Sequence, residues 1–257
     1  MRNALAIAGK ELRSYFVSPI AYVVLTGFLL LGGWFFFNLL ARFNFLLTIY
    51  TSMRNPEAQM RLNLNDFVIS PLLHNLSVVL VILIPMITMR SFAEEKRSGT
   101  YELLMTSPLA IGEIVLGKFL GAFAFLLVMI GLTAIYPVIL LLYGNPEMGI
   151  IVSGYLGLLL LGTAFFTVGM LTSSFTENQI IAAVSCLVVL LLLYVIAWPA
   201  ETAGPLLGGV LKYLSLTEHF GEMVKGIIDT KDLVYFASVI VLSLYLTQRS
   251  VESVRWR

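Results

Sequence analysis

The composition of the 257-residue chain excludes a soluble globular protein. Apolar residues make up 59% and charged residues 12%, whereas soluble domains average about 45–50% and about 25%. Mean hydropathy is +0.92. A soluble fold of this size could not remove so much apolar surface from water, so the sequence predicts an integral membrane protein. The net charge of +1 excludes a basic nucleic-acid-binding surface, and the single cysteine excludes an internal disulfide.

The stretches between charged residues predict an all-α fold with six membrane-spanning helices. The first lies among the 28 uncharged residues between Arg13 and Arg42, more than the roughly 20 that a spanning helix needs. A signal peptide would have a shorter apolar region and a cleavage site, and a β-barrel would show short alternating segments. The predicted spans are residues 20–40, 72–89, 119–143, 151–171, 180–198 and 233–248.

The sixth predicted span is short. It has only 16 uncharged residues, which make about 24 Å of helix. We therefore expect it to begin in the membrane interface near Asp232 or to lie in locally thinned bilayer.

Lysine and arginine predict the orientation in the membrane. Six spans place both termini on one side, which carries ten basic residues against six on the other. Because basic residues are enriched on the cytoplasmic side, we expect both termini in the cytoplasm.

Residues 1–17 predict an amphipathic helix that lies along the cytoplasmic membrane surface. On a helix, one apolar face is formed by Met1, Leu5, Ala8, Leu12 and Phe16, and the basic residues lie away from it. The alternative is a charged leader that only sets the topology. In both cases Pro19 ends the segment before the first span.

Two stretches are expected on the external side. Residues 42–70 are polar and too long for a tight connection, so they form a small ordered cap or a mobile loop. Residues 205–228 carry two apolar stripes at helical spacing, neither long enough to span. They predict short external helices or a re-entrant hairpin before the last span.

The cytoplasmic segment 90–118 contains the densest charge in the chain. Glu94, Glu95, Lys96 and Arg97 cancel to zero net charge, whereas a segment that binds lipid headgroups is net basic. A balanced cluster favours docking to a protein with charges of both signs. Gly99 is typical of a helix end, after which Thr100 can cap a short second helix with Glu102 in its first turn and Pro108 at its end. The alternative is a solvated loop.

Motifs for catalysis and for self-powered transport are lacking. The sequence contains no G-x-x-x-x-G-K-[ST] phosphate loop, no H-E-x-x-H zinc motif and no G-x-S-x-G nucleophile elbow. His219 and Glu222 are three residues apart, but two groups do not make a zinc site, and we expect a hydrogen bond there instead. No charged residue lies at mid-depth in a predicted span, which argues against an ion-coupled carrier. We therefore expect no enzymatic activity, no catalytic residue, and no metal or cofactor bound by this chain.

The charged segment and its flanks resemble those of ABC type-2 transporter permeases. Members of that family carry an E-x-(K/R)-x-x-G-T-x-E-x-L run, then a proline, then G-K before the third span. The matching residues here are 94–104, Pro108 and Gly117-Lys118, and the opening Lys10-Glu11, Tyr15-Phe16 and Ser18-Pro19 resembles the same family. The nearest likeness is to the gliding-motility-associated permeases, and residues 1–257 form one permease domain on this interpretation.

The resemblance implies a subunit that is driven by other chains. Two permeases, as a homodimer or with a related subunit, would dock on ABC ATPase subunits that bind ATP and Mg, in the cytoplasmic (inner) membrane of a bacterium. An accessory protein with a large external domain is a further implied partner. The implied ATPase-coupling residues are Glu94, Glu95, Lys96, Arg97, Gly99, Thr100 and Glu102, with a second ATPase contact at Lys10, Glu11 and Arg13 and an external gate at Leu206, Leu211 and Phe220.

Two functions stay open at this point. The first is the permease of an exporter or mechanotransmitting complex, which couples ATP hydrolysis to movement of a substrate or of a conformational signal. The second is a membrane anchor or assembly subunit of a cell-envelope complex that transports nothing. The sequence names no substrate.

Overall fold

The computed structural model of the chain describes residues 2–53, 62–101, 109–202 and 204–254. In these ranges all regular secondary structure is helical, and short turns join the helices. The helices are α1 (Arg2–Val17), α2 (Pro19–Ser52), α3 (Ser70–Thr88), α4 (Ala93–Arg97), α5 (Ile111–Thr133), α6 (Ile135–Tyr143), α7 (Met148–Ser174), α8 (Gln179–Val195), α9 (Pro205–Leu214), α10 (Leu216–Val224) and α11 (Thr230–Val254). A π-helical turn at Asn65–Ile69 precedes α3, and a 3₁₀ turn at Trp198–Glu201 follows α8.

Six helical segments in the described ranges are long and apolar enough to cross a membrane. They are Pro19–Ser52, Asn65–Arg97, Ile111–Tyr143, Met148–Ser174, Gln179–Ala200 and Thr230–Ser253. The predicted fold class, an all-α polytopic membrane protein with six spans, is therefore confirmed.

Helix α7, the fourth span, lies at the centre of the bundle. It contacts α3, α5, α8, α10 and α11, and 61% of its most apolar window is buried, against 17% for α8. Glycines on α7 let its neighbours approach closely, because Gly157 lies against Phe220 and Met223 of α10, and Gly169 lies against Thr88 of α3. The bundle is thus organised around one helix rich in small residues.

The third span is interrupted at Ala134, between α5 and α6. Pro137 has no N–H group and cannot bond to the carbonyl of Thr133, four residues earlier. That carbonyl accepts a hydrogen bond from the hydroxyl of Tyr155 on α7 at 2.9 Å. A neighbouring helix therefore satisfies the backbone group that the proline leaves free, as interrupted spans require.

Two helices extend beyond the predicted spans. Helix α2 has 34 residues and continues to Ser52, so the stretch 42–70 begins as helix rather than as a cap or loop, and its residues 54–61 lie outside the described ranges. Helix α11 has 25 residues, about 37 Å, because it continues through Arg249. The helix is therefore longer than its 16 uncharged residues, and it begins at Thr230, close to Asp232. The expectation of a start in the membrane interface or of thinned bilayer stays a prediction.

Two ends of the bundle can be distinguished. We call the end that carries α1, α4 and the start of α5 the N-terminal end. The opposite end carries α9 and α10, which occupy the segment where the sequence predicts short helices or a hairpin. Ser215 separates these two helices with an extended backbone, and its hydroxyl accepts a hydrogen bond from the N–H of Glu218.

Candidate coupling site

Helix α1 packs against the start of α5. Gly117 and Gly121 make this possible, because a Cβ at either position would lie 2.6 or 2.7 Å from a side-chain carbon of α1. The spacing of these glycines is that of a small-residue helix interface. The buried face differs from the predicted apolar face: Ala4 is 7% exposed, whereas Leu5 is 65% exposed. Part of the predicted apolar face is thus directed away from the protein.

Helix α4 is held on the end of α7. The Ser173 hydroxyl accepts hydrogen bonds from the backbone N–H groups of Phe92 and Ala93, each at 3.1 Å. It donates a hydrogen bond to the carbonyl of Met89, the residue after α3. The ammonium group of Lys96 donates to the carbonyl of Ser174 at 2.6 Å. Ser173 thereby satisfies N–H groups that have no partner inside a helix, and one side of α4 is fixed.

Lys118 joins three helices at one buried point. Its Nζ atom lies 2.8 Å from Oε1 of Glu11 on α1 and 2.7 Å from Oε1 of Glu95 on α4, and the lysine side chain is only 4% exposed. The ammonium group also lies 5.3 Å from the ring centroid of Phe92. A buried ammonium group requires such charged partners because desolvation would otherwise remove its charge. We call Lys118, Glu11 and Glu95 the Lys118 triad.

A cavity of about 180 Å³ lies beside the Lys118 triad, between α1, the start of α2, the end of α3 and α4. Arg90 lines it and donates from Nη1 to the hydroxyl of Ser18, in the turn between α1 and α2, at 3.1 Å. Within the part of the chain that the structure describes, neither Oε2 of Glu95 nor Nε of Arg90 has a hydrogen-bond partner, although both are buried. Burial, and secondarily the Glu11 carboxylate, raises the pKa of Tyr15, which also lines the cavity. Tyr15 therefore stays neutral.

The predicted coupling residues divide between the surface and the interior. Glu94, Arg97, Gly99 and Thr100 are exposed on or just after α4, and Lys10 and Arg13 are exposed on α1. Glu11 and Glu95 are bound to Lys118, and Lys96 to the end of α7. Gly99 adopts a φ of 72°, which favours glycine at a helix end. Glu102 lies outside the described residues.

Sequence reasoning included Lys118 only as part of a motif and gave it no role. Ser173 was not singled out at all. The available signal was that Lys118 lies at the start of an apolar span, one residue after Gly117. A charged residue at the start of a span suggests a functional role, but its partners are far away along the chain.

The predicted external gate residues are not gathered in one cluster. Leu206 is 81% exposed on α9, whereas Phe220 of α10 is 1% exposed and belongs to the main core. Leu211 is half-buried. Phe220 contacts the ring of His74 on α3, with ring centroids 5.4 Å apart.

His219 forms a buried pair with Asp232 at the opposite end, and not with Glu222. Its Nδ1 atom lies 2.6 Å from Oδ1 of Asp232, and its Nε2 atom lies 3.0 Å from the carbonyl of Tyr213. The imidazole stacks on the ring of Tyr235 with centroids 3.9 Å apart. Because a carbonyl only accepts, Nε2 is the donor in the contact with Tyr213. This pair ties α10 to the start of α11.

The six spans, the α1–α5 packing and the Lys118 triad define a polytopic helical membrane protein with a buried charged cluster at one end. Residues 5–248 match the family model described as ABC-2 family transporter protein. The match covers nearly the whole chain, so the chain belongs to this family. It is a membrane permease component of an ABC transporter, not a catalytic one, and the family partners with an ABC ATPase. No curated protein matches the sequence.

Proposed function

We propose that the chain is the permease subunit of an ATP-driven exporter or mechanotransmitting complex, and that α4 is the element on which a separate ATPase subunit docks. The observation that carries the proposal is the division of α4 into two sides. One side is fixed to α7 and α5 through Ser173 and Lys118. The other presents Glu94 and Arg97, one acid and one base, in exposed positions.

This arrangement suits an element that receives force. Charges of both signs on an exposed face give a partner orientation and specificity, and a fixed back passes displacement on to the helices behind it. Lys10 and Arg13 are exposed on α1, which itself packs on α5, and they form the second ATPase contact in this proposal. ATP and Mg belong to the ATPase subunit.

The proposal places the N-terminal end of the bundle in the cytoplasm and the chain in a bacterial inner membrane. Exposed apolar residues along α2 and α8, among them Trp34, Phe37, Ile180 and Val184, are available to lipid and to a second permease protomer. Helices α9 and α10, with Leu206, Leu211 and Phe220, close the path on the external side. The gliding-motility likeness and its accessory external protein stay predictions from the sequence, which names no substrate.

Charge reversal on α4 tests the proposal. Glu94→Lys combined with Arg97→Glu keeps the net charge but inverts the pattern that a partner meets. We expect the affinity-tagged variant to lose, at least tenfold, the ATPase subunit that co-purifies with the wild-type chain, detected by photolabelling with azido-ATP and by ATP hydrolysis.

Glu222→Lys combined with Lys225→Glu is the matched control, because it also inverts an acid–base pair three residues apart without changing the net charge, at the opposite end of the bundle. This control should retain the ATPase at the wild-type level. If the variant with Glu94→Lys and Arg97→Glu inserts into the membrane and keeps its ATPase and full hydrolysis, the assignment of α4 is overturned.

A further inference from the structure

We propose that Lys118 is a positioning residue that holds α4 to α1 and α5, and that its contact with Glu95 is the one that opens when α4 moves. This inference rests on the proposed function, because it assigns to the Lys118 triad the step between a docked ATPase and the spans. It concerns the inner side of α4, whereas docking concerns the outer side.

The geometry makes Lys118 a link between otherwise separate helices. Glu11 is 107 residues away along the chain and Glu95 is 23 residues away, yet both carboxylates reach one ammonium group within 2.8 Å. Glu95 is itself 16% exposed and Glu11 15% exposed. Ion pairs so withdrawn from water are screened less by salt than exposed pairs. A displacement of α4 therefore acts directly on the start of the third span.

The two contacts of Lys118 are not equivalent. One ammonium group faces two carboxylates, so the triad carries a formal charge of −1. If Glu95 leaves, a neutral Lys118–Glu11 pair remains. If α1 left instead, the close packing of α1 on Gly117 and Gly121 would also be lost. Helix α4 has only five residues, so the Glu95 contact is the weaker anchor.

The cavity beside the triad gives the Glu95 carboxylate a second position. Glu95 lines this cavity together with Lys10 and Arg90, both of them cations. Oε2 of Glu95 lacks a hydrogen-bond partner among the described residues. Nε of Arg90 also makes no hydrogen bond there and lies 3.9 Å from Oε2 of Glu94 in a partly exposed ion pair, which Glu95 can replace. Two discrete arrangements of one carboxylate, with Lys118 or with the cavity cations, supply the two-state element that transmission of a signal requires.

The test uses paired spin labels on the full chain in lipid nanodiscs, without an ATPase. Cysteines replace Ala6 on α1 and Ser98 after α4, both of which lie outside the buried core. The native Cys186 is 1% exposed, so the label is directed to the two introduced cysteines. Pulsed electron–electron resonance measures the distance distribution between the labels. We expect one dominant, narrow population of distances in the parent. In Glu95→Gln, we expect a second population at a displaced distance, at least ten times larger than its share in the parent.

Two matched variants separate a positioning role from general stabilisation. Glu147→Gln makes the same change at an exposed residue just before α7, at the opposite end of the bundle, and should leave one population. Glu11→Gln leaves a Lys118–Glu95 pair, so α4 should stay in place. If Glu11→Gln and Glu95→Gln broaden the distribution equally, or if Glu95→Gln matches Glu147→Gln, the proposal is overturned.

Failure of this inference is distinguishable from failure of the proposed function. The spin-label measurement needs no partner and reports only on the Lys118 triad. If the wild-type chain binds its ATPase but Glu95→Gln does not displace α4, the inference is wrong and the proposed function is unaffected. If the wild-type chain binds no ATPase but Glu95→Gln displaces α4, the proposed function is wrong and the role of Lys118 is unaffected.

Discussion

Alanine at both Gly117 and Gly121 should loosen the packing of α1 on α5. The added Cβ atoms would lie 2.6 and 2.7 Å from side-chain carbons of α1, which is well inside ordinary contact distance. Overpacking of this kind costs about 1–3 kcal/mol per site. The better helix propensity of alanine does not offset this cost, because α5 is helical whether α1 is docked or not. The two sites are one turn apart and contact the same helix, so their costs do not simply add, and we take about 2 kcal/mol for the pair. That corresponds to a roughly 30-fold rise in the undocked population of α1.

The rate of cysteine modification measures this population. Ala4 is 7% exposed on the packed face of α1, and Ala4→Cys is introduced into both the parent and the double alanine variant. Because a buried thiol reacts only after local opening, its rate of reaction with a maleimide follows the open population. We expect a roughly 30-fold faster reaction in the double variant.

Gly131→Ala is the matched control for this prediction. Gly131 lies on the same helix, and nothing lies within 4 Å of a Cβ placed there. Its substitution should leave the reaction rate of the thiol introduced by Ala4→Cys unchanged. Equal rates for Gly131→Ala and the double variant would show that α1 does not rest on Gly117 and Gly121.

Two further predictions concern single side chains in the rest of the bundle. Tyr155→Phe removes the hydroxyl that bonds to the Thr133 carbonyl, so thermal unfolding in detergent should show a free energy of unfolding lower by about 1–2 kcal/mol. The control Tyr143→Phe, at a position 89% exposed, should not change this free energy. Equal losses in the two variants would contradict the role of this bond. Asp232→Ala leaves Nδ1 of His219 without its partner and should cost about 1–3 kcal/mol in the same assay. Asp232→Asn keeps a partner for Nδ1 and should cost less, and the reverse order would refute the proposed hydrogen bonding.

The spans were predictable because the membrane imposes a simple rule on the sequence. A helix in lipid must be apolar for about 20 residues, so gaps between charges locate it. The rule fails at the ends, where Arg42 and Arg249 lie within continuous helices. A long side chain can extend its charge to the interface while its backbone continues the helix, so a charge marks the edge of the apolar region rather than the end of the helix.

The Lys118 triad was not predictable in the same way. Its members belong to three segments, and only the packing of α1 on Gly117 and Gly121 brings Glu11 to Lys118. A single sequence contains both the glycine pair and the charges, but it does not state that they face one another. Likewise, a buried hydroxyl such as Ser173 is indistinguishable from any other serine near a span end until the backbone of α4 lies against it.

The structure also changes the meaning of the balanced charge on α4. In the sequence, the run Glu94 to Arg97 is one neutral cluster, and neutrality alone suggested a protein partner. On the helix, Glu94 and Arg97 are three residues apart and share the exposed side, while Glu95 and Lys96 bind groups of the bundle. Each side carries one acid and one base, so each is neutral by itself. The inner pair fixes α4 to the spans, while the outer pair stays exposed, with Glu94 in a loose 3.9 Å contact with Arg90. The proposed docking surface for an ATPase is therefore the outer pair alone.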